Sequence, residues 1–178
     1  MSMRKRMVAT ALLNALLVLS LLRTPSHAGL PAAIEDGLKT SKFIYISSTR
    51  KDGNLGEPAE IWFLYHQGSV YVGSSPKSWR ARRIKWGRPQ AKIWVGKRDG
   101  PSFAASGKIV DDAEVQAIML KTFAEKYPEG WGRYERSFRD GFKDGSRVLI
   151  RYTPVDATPA AAPADKETGR RRDGETPP

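Results

Sequence analysis

Cysteine is absent from all 178 residues, so the chain has no disulfide framework, no thiolate chemistry and no lipoprotein anchor. Histidine is nearly absent too, with only His27 and His66. A conventional zinc site and a Cys–His nucleophile are thereby excluded, and no metal site is expected. A Ser–His–acid triad would have to use His66, which stands beside Gln67-Gly68 at a turn, and no nucleophile-elbow glycine pattern surrounds a serine. Acids are outnumbered, 19 against 30 lysines and arginines, for a net charge of +11. Their one tight group, Asp111, Asp112 and Glu114, reads as the start of a helix rather than a catalytic pair. If this chain is an enzyme, the difficult chemistry must come from a bound cofactor.

Long apolar runs are scarce as well. The one that exists, Met7 to Leu22, follows the basic Arg4-Lys5-Arg6 and precedes Ser26-His27-Ala28. That order is the pattern of a secretory signal peptide over residues 1–28, cut before Gly29. The run is short for a bilayer span of ~20 residues, so no stable membrane anchor is expected after cleavage. The mature protein is expected to be exported, periplasmic or extracellular. At the other end, residues 155–178 are Pro, Ala and mixed charge with hardly an apolar side chain, the composition of a disordered tail.

Between these ends, residues 29–41 read as a lead-in with a short helix around Ala32 to Leu38, and residues 42–154 as the folded domain. Period-two alternation with β-branched and aromatic enrichment predicts strands at Phe43–Ile46, Glu60–Tyr65, Val70–Val72, Ala91–Val95, Phe103–Val110 and Val148–Tyr152. His66-Gln67-Gly68 joins two of them as a hairpin. Asp111-Asp112 supplies an N-cap, and Val115, Ile118, Met119, Thr122 and Phe123 share one helical face. A rougher helical segment spans Trp131 to Phe142. About six short strands with few strand–helix–strand alternations predict a small antiparallel β-barrel with helical caps, mainly β in an α+β arrangement.

The segment with the most chemical content is Gly73-Ser74-Ser75-Pro76-Lys77-Ser78-Trp79-Arg80-Ala81-Arg82-Arg83-Ile84. A strand runs into a hydroxyl-rich turn and then a short helix carrying Lys77, Arg80, Arg82 and Arg83. Serine hydroxyls and guanidinium forks at a helix start make a seat for a phosphate. The competing reading is a solvated basic helix face joining two strands. Nine cations and no acid between Lys77 and Arg98 suit an anionic ligand, though the same field could draw nucleic acid or an acidic surface nonspecifically.

The order of these pieces resembles the pyridoxamine-phosphate-oxidase-like split barrels, flavin- and deazaflavin-dependent oxidoreductases. Four stretches carry the likeness: Phe43 to Gly53 with its Asp-Gly turn; Pro58-Ala59-Glu60-Ile61-Trp62-Phe63; Ser74 to Ile84; and Ala105 to Asp112, with Val148 to Pro154 as the closing strand. Where the family usually has Ser-x-Lys, this chain has Ser78-Trp79-Arg80. The resemblance implies a split β-barrel of about six antiparallel strands with two or three capping helices. It implies FMN, or alternatively a deazaflavin, with backbone groups of Ile61, Trp62 and Phe63 at the ring edge. Ser74, Ser75, Lys77, Ser78 and Arg80 would hold the phosphate end. Trp79 and Trp94 are candidates to stack on the ring. It further implies a homodimer and hydride transfer to or from an unknown small molecule, with no nucleic acid as partner. The alternative is a non-catalytic split barrel that holds a flavin, a porphyrin or another anion, a reading that export favours because flavin is scarce outside the cytoplasm.

Overall fold

The structure, a computed structural model, describes residues 29–155. The expected leader and tail lie outside the described residues. In chain order the elements are α1 (Ala32–Thr40), β1 (Ile44–Ser48), β2 (Ala59–Ile61), β3 (Leu64–His66), β4 (Ser69–Ser74), α2 (Trp79–Lys85), β5 (Gln90–Val95), β6 (Ser102–Val110), α3 (Ala113–Lys126), α4 (Pro128–Asp144) and β7 (Val148–Pro154). All strand pairs are antiparallel, in the order β2-β1-β5-β6-β7-β4-β3. Seven strands and four helices stand where about six and two or three were expected.

The extra strand comes from Glu60–Tyr65, which does not form one strand. Its first part pairs with β1 (Ile61 opposite Ile44) and its second with β4 (Leu64 opposite Tyr71). One stretch of chain thus serves as both outer strands of the sheet, and the sheet curls so that its ends meet at Trp62-Phe63. Phe63 is wholly buried there, and no ladder partner takes its N–H. The Tyr127 hydroxyl does instead: it accepts from Phe63 N–H at 3.1 Å and donates to the Lys42 carbonyl at 2.8 Å. A phenol from the α3–α4 junction therefore stitches the seam. Lys126 Nζ lies 3.6 Å from the Phe63 ring centroid, and burial pushes its pKa down to about 8.

Two apolar clusters follow from strand alternation. Ile44, Ile46, Val70, Val72, Ile93, Ile150 and Tyr152 fill the barrel. On the opposite face, Tyr71 and Leu149 pack with Val115, Met119, Phe123, Trp131 and Phe138 of the helical pair. Strand β4 is buried along its whole length because the barrel covers one face and the helices the other. The hairpin turn between β3 and β4 puts Gln67 and Gly68 at φ 46° and 70°, the paired left-handed geometry of a two-residue loop. Asp112 caps α3 as expected, its carboxylate accepting from Val115 N–H at 3.0 Å. Helix α1 is longer than the segment expected, and its Leu38 enters the barrel core.

Candidate functional site

Strand β4 delivers Ser74 to the end of the sheet, where the chain turns into α2. Ser78 caps that helix: its Oγ accepts from Ala81 N–H at 3.3 Å and lies 2.9 Å from the buried Ser74 Oγ. Seven residues would not hold a helix alone, because nucleation is costly. Packing holds this one. Ala81 is fully buried, and Ile84 fits over Gly107 of β6, where an added Cβ would sit 2.9 Å from Ile84 and 2.7 Å from the Tyr152 ring.

The rest of α2 is cationic. The Arg82 guanidinium sits 4.8 Å from the ring centroids of both Trp79 and Trp86, an exposed aromatic–cation stack on the outer face. Arg83 reaches across to β1, its Nη1 donating to the Ser48 carbonyl at 2.7 Å and the Ser48 hydroxyl at 2.8 Å. Gly56 leaves room for that guanidinium, since a Cβ there would lie 2.9 Å from it.

Between α2, β1 and the loop before β2 lies a cavity of about 340 Å³, lined by Ser48, Arg50, Ala59, Ser78, Trp79, Arg80 and Arg83, among others. Three guanidinia face it. Its one carboxylate, Glu57, is paired with Arg98 at 2.5 Å. Arg80 is half-buried and has no ion pair among the described residues, and burial lowers its pKa. The Tyr152 hydroxyl close to that charge is buried without a hydrogen-bond partner. Burial pushes this phenol up to about 12, with the Arg80 charge pulling the other way. Arg83 is lowered by burial first and by the charges of Arg50 and Arg88 next. An uncompensated cluster of this kind favours an anion carrying several acceptor oxygens.

The structure brings Ser78 and Arg80 together at this cavity, while Ser74 is buried behind it with its hydroxyl against that of Ser78. Ser75 and Lys77 lie on the exposed turn beside it, with Ser75 Oγ accepting from Lys77 N–H at 3.2 Å. Ile61 and Trp62 line a second cavity, against α4. Phe63 faces neither, and its N–H is already bonded to Tyr127. Trp79 borders the first cavity, whereas Trp94 sits on β5 with Lys92 Nζ 5.0 Å from its ring. Sequence reasoning missed Ser48 and Arg50 as cavity residues, and named Arg83 on the basic helix without setting it among the residues that hold the phosphate. The spacing of Arg83 three residues after Arg80 was the available signal, since such pairs share a helix face. Arg50 falls inside the Phe43 to Gly53 stretch, where nothing in the pattern sets it apart.

No family model matches the chain, and no curated protein matches it. Solved structures do. HutZ, the heme storage protein of Vibrio cholerae, is 16% identical with a TM-score of 0.50 over 69% of this chain and 88% of its own. The conserved hypothetical protein Rv2991 of Mycobacterium tuberculosis is 17% identical with a TM-score of 0.51 over 71% and 84%. A Listeria innocua protein provisionally described as a pyridoxamine 5'-phosphate oxidase is 14% identical with a TM-score of 0.49 over 68% and 90%. At these identities the likeness is one of fold. The topology, together with the likeness to HutZ and Rv2991, defines an antiparallel split barrel with helical caps. That is the fold which the sequence resemblance to the pyridoxamine-phosphate-oxidase-like split barrels implied.

Proposed function

We propose that the cavity beside α2 holds the phosphate end of a flavin-type cofactor, FMN or a deazaflavin, and that the protein is an oxidoreductase acting on a small molecule. The observation that carries this reading is Arg80: a half-buried guanidinium without an ion pair among the described residues, next to an orphaned Tyr152 hydroxyl, in a cavity that Arg50 and Arg83 also line. These groups fit a phosphate. Arg80 would bind it by its fork, Ser78 would present its hydroxyl with Ser74 behind it, and Arg83, fixed on Ser48, would keep the wall in place. The bound ring would supply the hydride chemistry that this chain's side chains lack.

A second reading is a holder without catalysis, for a porphyrin or another anion. It is favoured by the scarcity of acid–base groups at the cavity, whose one carboxylate is tied to Arg98. HutZ, a heme storage protein, shares the fold.

The test titrates FMN and a deazaflavin into wild type, Arg80→Ala, Arg80→Lys and Lys85→Ala at two salt concentrations. Loss of a charge-assisted hydrogen bond worth ~1.5–3 kcal/mol weakens affinity roughly 10- to 150-fold in Arg80→Ala. Arg80→Lys should lose much less, and Lys85→Ala little. Equal weakening by Arg80→Ala and Lys85→Ala, vanishing in high salt, would mean a diffuse field and no seat. A bound flavin whose absorption bleaches on reduction supports the oxidoreductase. Heme uptake without flavin binding supports the holder.

A further inference from the structure

The second cavity has a chemistry of its own. It encloses about 370 Å³ between α4 and the sheet, within the usual size of small-molecule sites. Strand β2 contributes to both cavities, Ala59 to the first and Glu60 and Ile61 to the second, where Trp62 follows them.

One wall is aromatic and fixed. The Trp62 indole stacks on Tyr127 at 4.4 Å and 2°, and meets the edges of Phe123 and Tyr134 at 5.9 and 5.4 Å. Gly130 lets α4 come this close, since a Cβ there would lie 2.8 Å from the indole. Phe138 closes the inner side against Gly73, where a Cβ would come within 2.5 Å of its ring.

The cavity's cation is Arg147. Its Cζ lies 3.7 Å from the Phe138 ring centroid. Its hydrogen bonds go to neutral acceptors: Nε to the Ser137 carbonyl at 3.3 Å, Nη2 to Ser137 Oγ at 2.9 Å and Nη1 to the Gly73 carbonyl at 3.5 Å. Five N–H donors leave two uncommitted. Two arginines of α4 are neutralised on the helix itself, Arg136 by Asp140 and Arg139 by Glu135, while Arg133 lies 5.7 Å from the Tyr134 ring centroid and does not line the cavity. Arg147 has no such partner among the described residues. Glu60 lines the same cavity without pairing to Arg147, and its carboxylate accepts from the Tyr45 hydroxyl at 2.5 Å.

A rigid aromatic wall, a half-buried guanidinium with free donors and a separate carboxylate define a recognition pattern. We propose that this cavity binds a small planar aromatic carboxylate bearing an N–H donor. The ring lies against Trp62 and Tyr134, the carboxylate on Arg147 and the donor toward Glu60. Ile61 and Trp62 are also where the sequence resemblance puts a cofactor's ring edge, so the test uses the cofactor-free protein.

The probe is 4-aminobenzoate, with benzoate and aniline as partial matches, followed by protein NMR. Saturable shifts are expected at the Trp62 indole N–H and the Gly73 amide. The order is 4-aminobenzoate tightest, benzoate weaker and aniline weakest, with a dissociation constant of roughly millimolar order for a ligand this small. Arg147→Gln should weaken 4-aminobenzoate at least tenfold, the least expected from losing a charge-assisted pair. Arg147 also bonds Ser137 and Gly73, so Tyr134→Ala, at a residue 43% exposed, gives a second reading that leaves the fold intact. It should weaken binding several-fold, and Glu60→Gln should erase the preference for 4-aminobenzoate over benzoate. The proposal is overturned by wild-type affinity in both Arg147→Gln and Tyr134→Ala. It is equally overturned by shifts confined to the α2 cavity and lost in Arg80→Ala, or by no saturable binding at tens of millimolar probe.

Discussion

Replacing Tyr127 by phenylalanine removes one oxygen from the barrel seam and keeps the ring that stacks on Trp62. The hydroxyl lies in a residue 2% exposed, accepts from Phe63 N–H and donates to the Lys42 carbonyl. Phe63 N–H is left buried without an acceptor, which costs ~1–3 kcal/mol, and the bond to the Lys42 carbonyl adds ~0.5–1.5 kcal/mol. The expected loss is therefore about 2–4 kcal/mol, a large share of a typical domain's stability of ~5–15 kcal/mol. Urea unfolding followed by tryptophan fluorescence is the assay. With a slope of ~2 kcal/mol per molar, the midpoint should fall by about 1–2 M at unchanged slope. Burial holds the Tyr127 phenol well above the ordinary tyrosine range, so the difference between wild type and variant should stay constant from pH 6 to 9. Tyr134→Phe, at an exposed tyrosine, is the control and should change stability by no more than about 0.5 kcal/mol. Equal midpoints for Tyr127→Phe and Tyr134→Phe would refute the claim that a single phenol closes the seam.

Lys126, lowered by burial from 10.5 to about 8, keeps its proton more readily in the unfolded chain than in the folded one. Stability should therefore be flat below pH 8 as far as this group is concerned, and rise with pH between about 8 and 10.5. Lys126→Met should abolish that rise, and identical pH–stability slopes in the two proteins would sink the assignment. A homodimer is the expected assembly, since the sequence resemblance implies a site built between two copies. Light scattering that returns only monomer mass at micromolar protein would count against it.

What the sequence disclosed was local. The Gln67-Gly68 turn and the Asp112 cap each depend on a few neighbouring residues, and each stands where the pattern put it. The break at Trp62-Phe63 could not be read in the same way. Ile61-Trp62-Phe63-Leu64 is continuously apolar, and only the exchange of partner from β1 to β4 divides it. Helix α4 begins at Pro128, three residues before the segment expected, and its glycines read as breakers in isolation. In the fold Gly130 clears the Trp62 indole and Gly141 lies under Arg147, so tertiary contact outweighs propensity. The site divides similarly. Ser74, Ser78 and Arg80 follow one another along the chain and were legible; Ser48 and Arg50 come from the far end of β1 and were not.

The shared strand at the seam has a bearing on how this fold can tolerate length variation. In most sheets an inserted or deleted residue disturbs one ladder, and a loop can absorb it. Residues 59–66 serve two ladders within eight positions, β2 against β1 and β3 against β4. A deletion between Ile61 and Leu64 reverses the inward and outward order on one side or the other, exposing Ile61 or Leu64 whichever register is kept. The loops at residues 50–57 and 96–101 carry no such double duty. Loop length is better varied at residues 96–101, because residues 50–57 hold Arg50 and Gly56 at the first cavity and residues 59–66 admit substitution only.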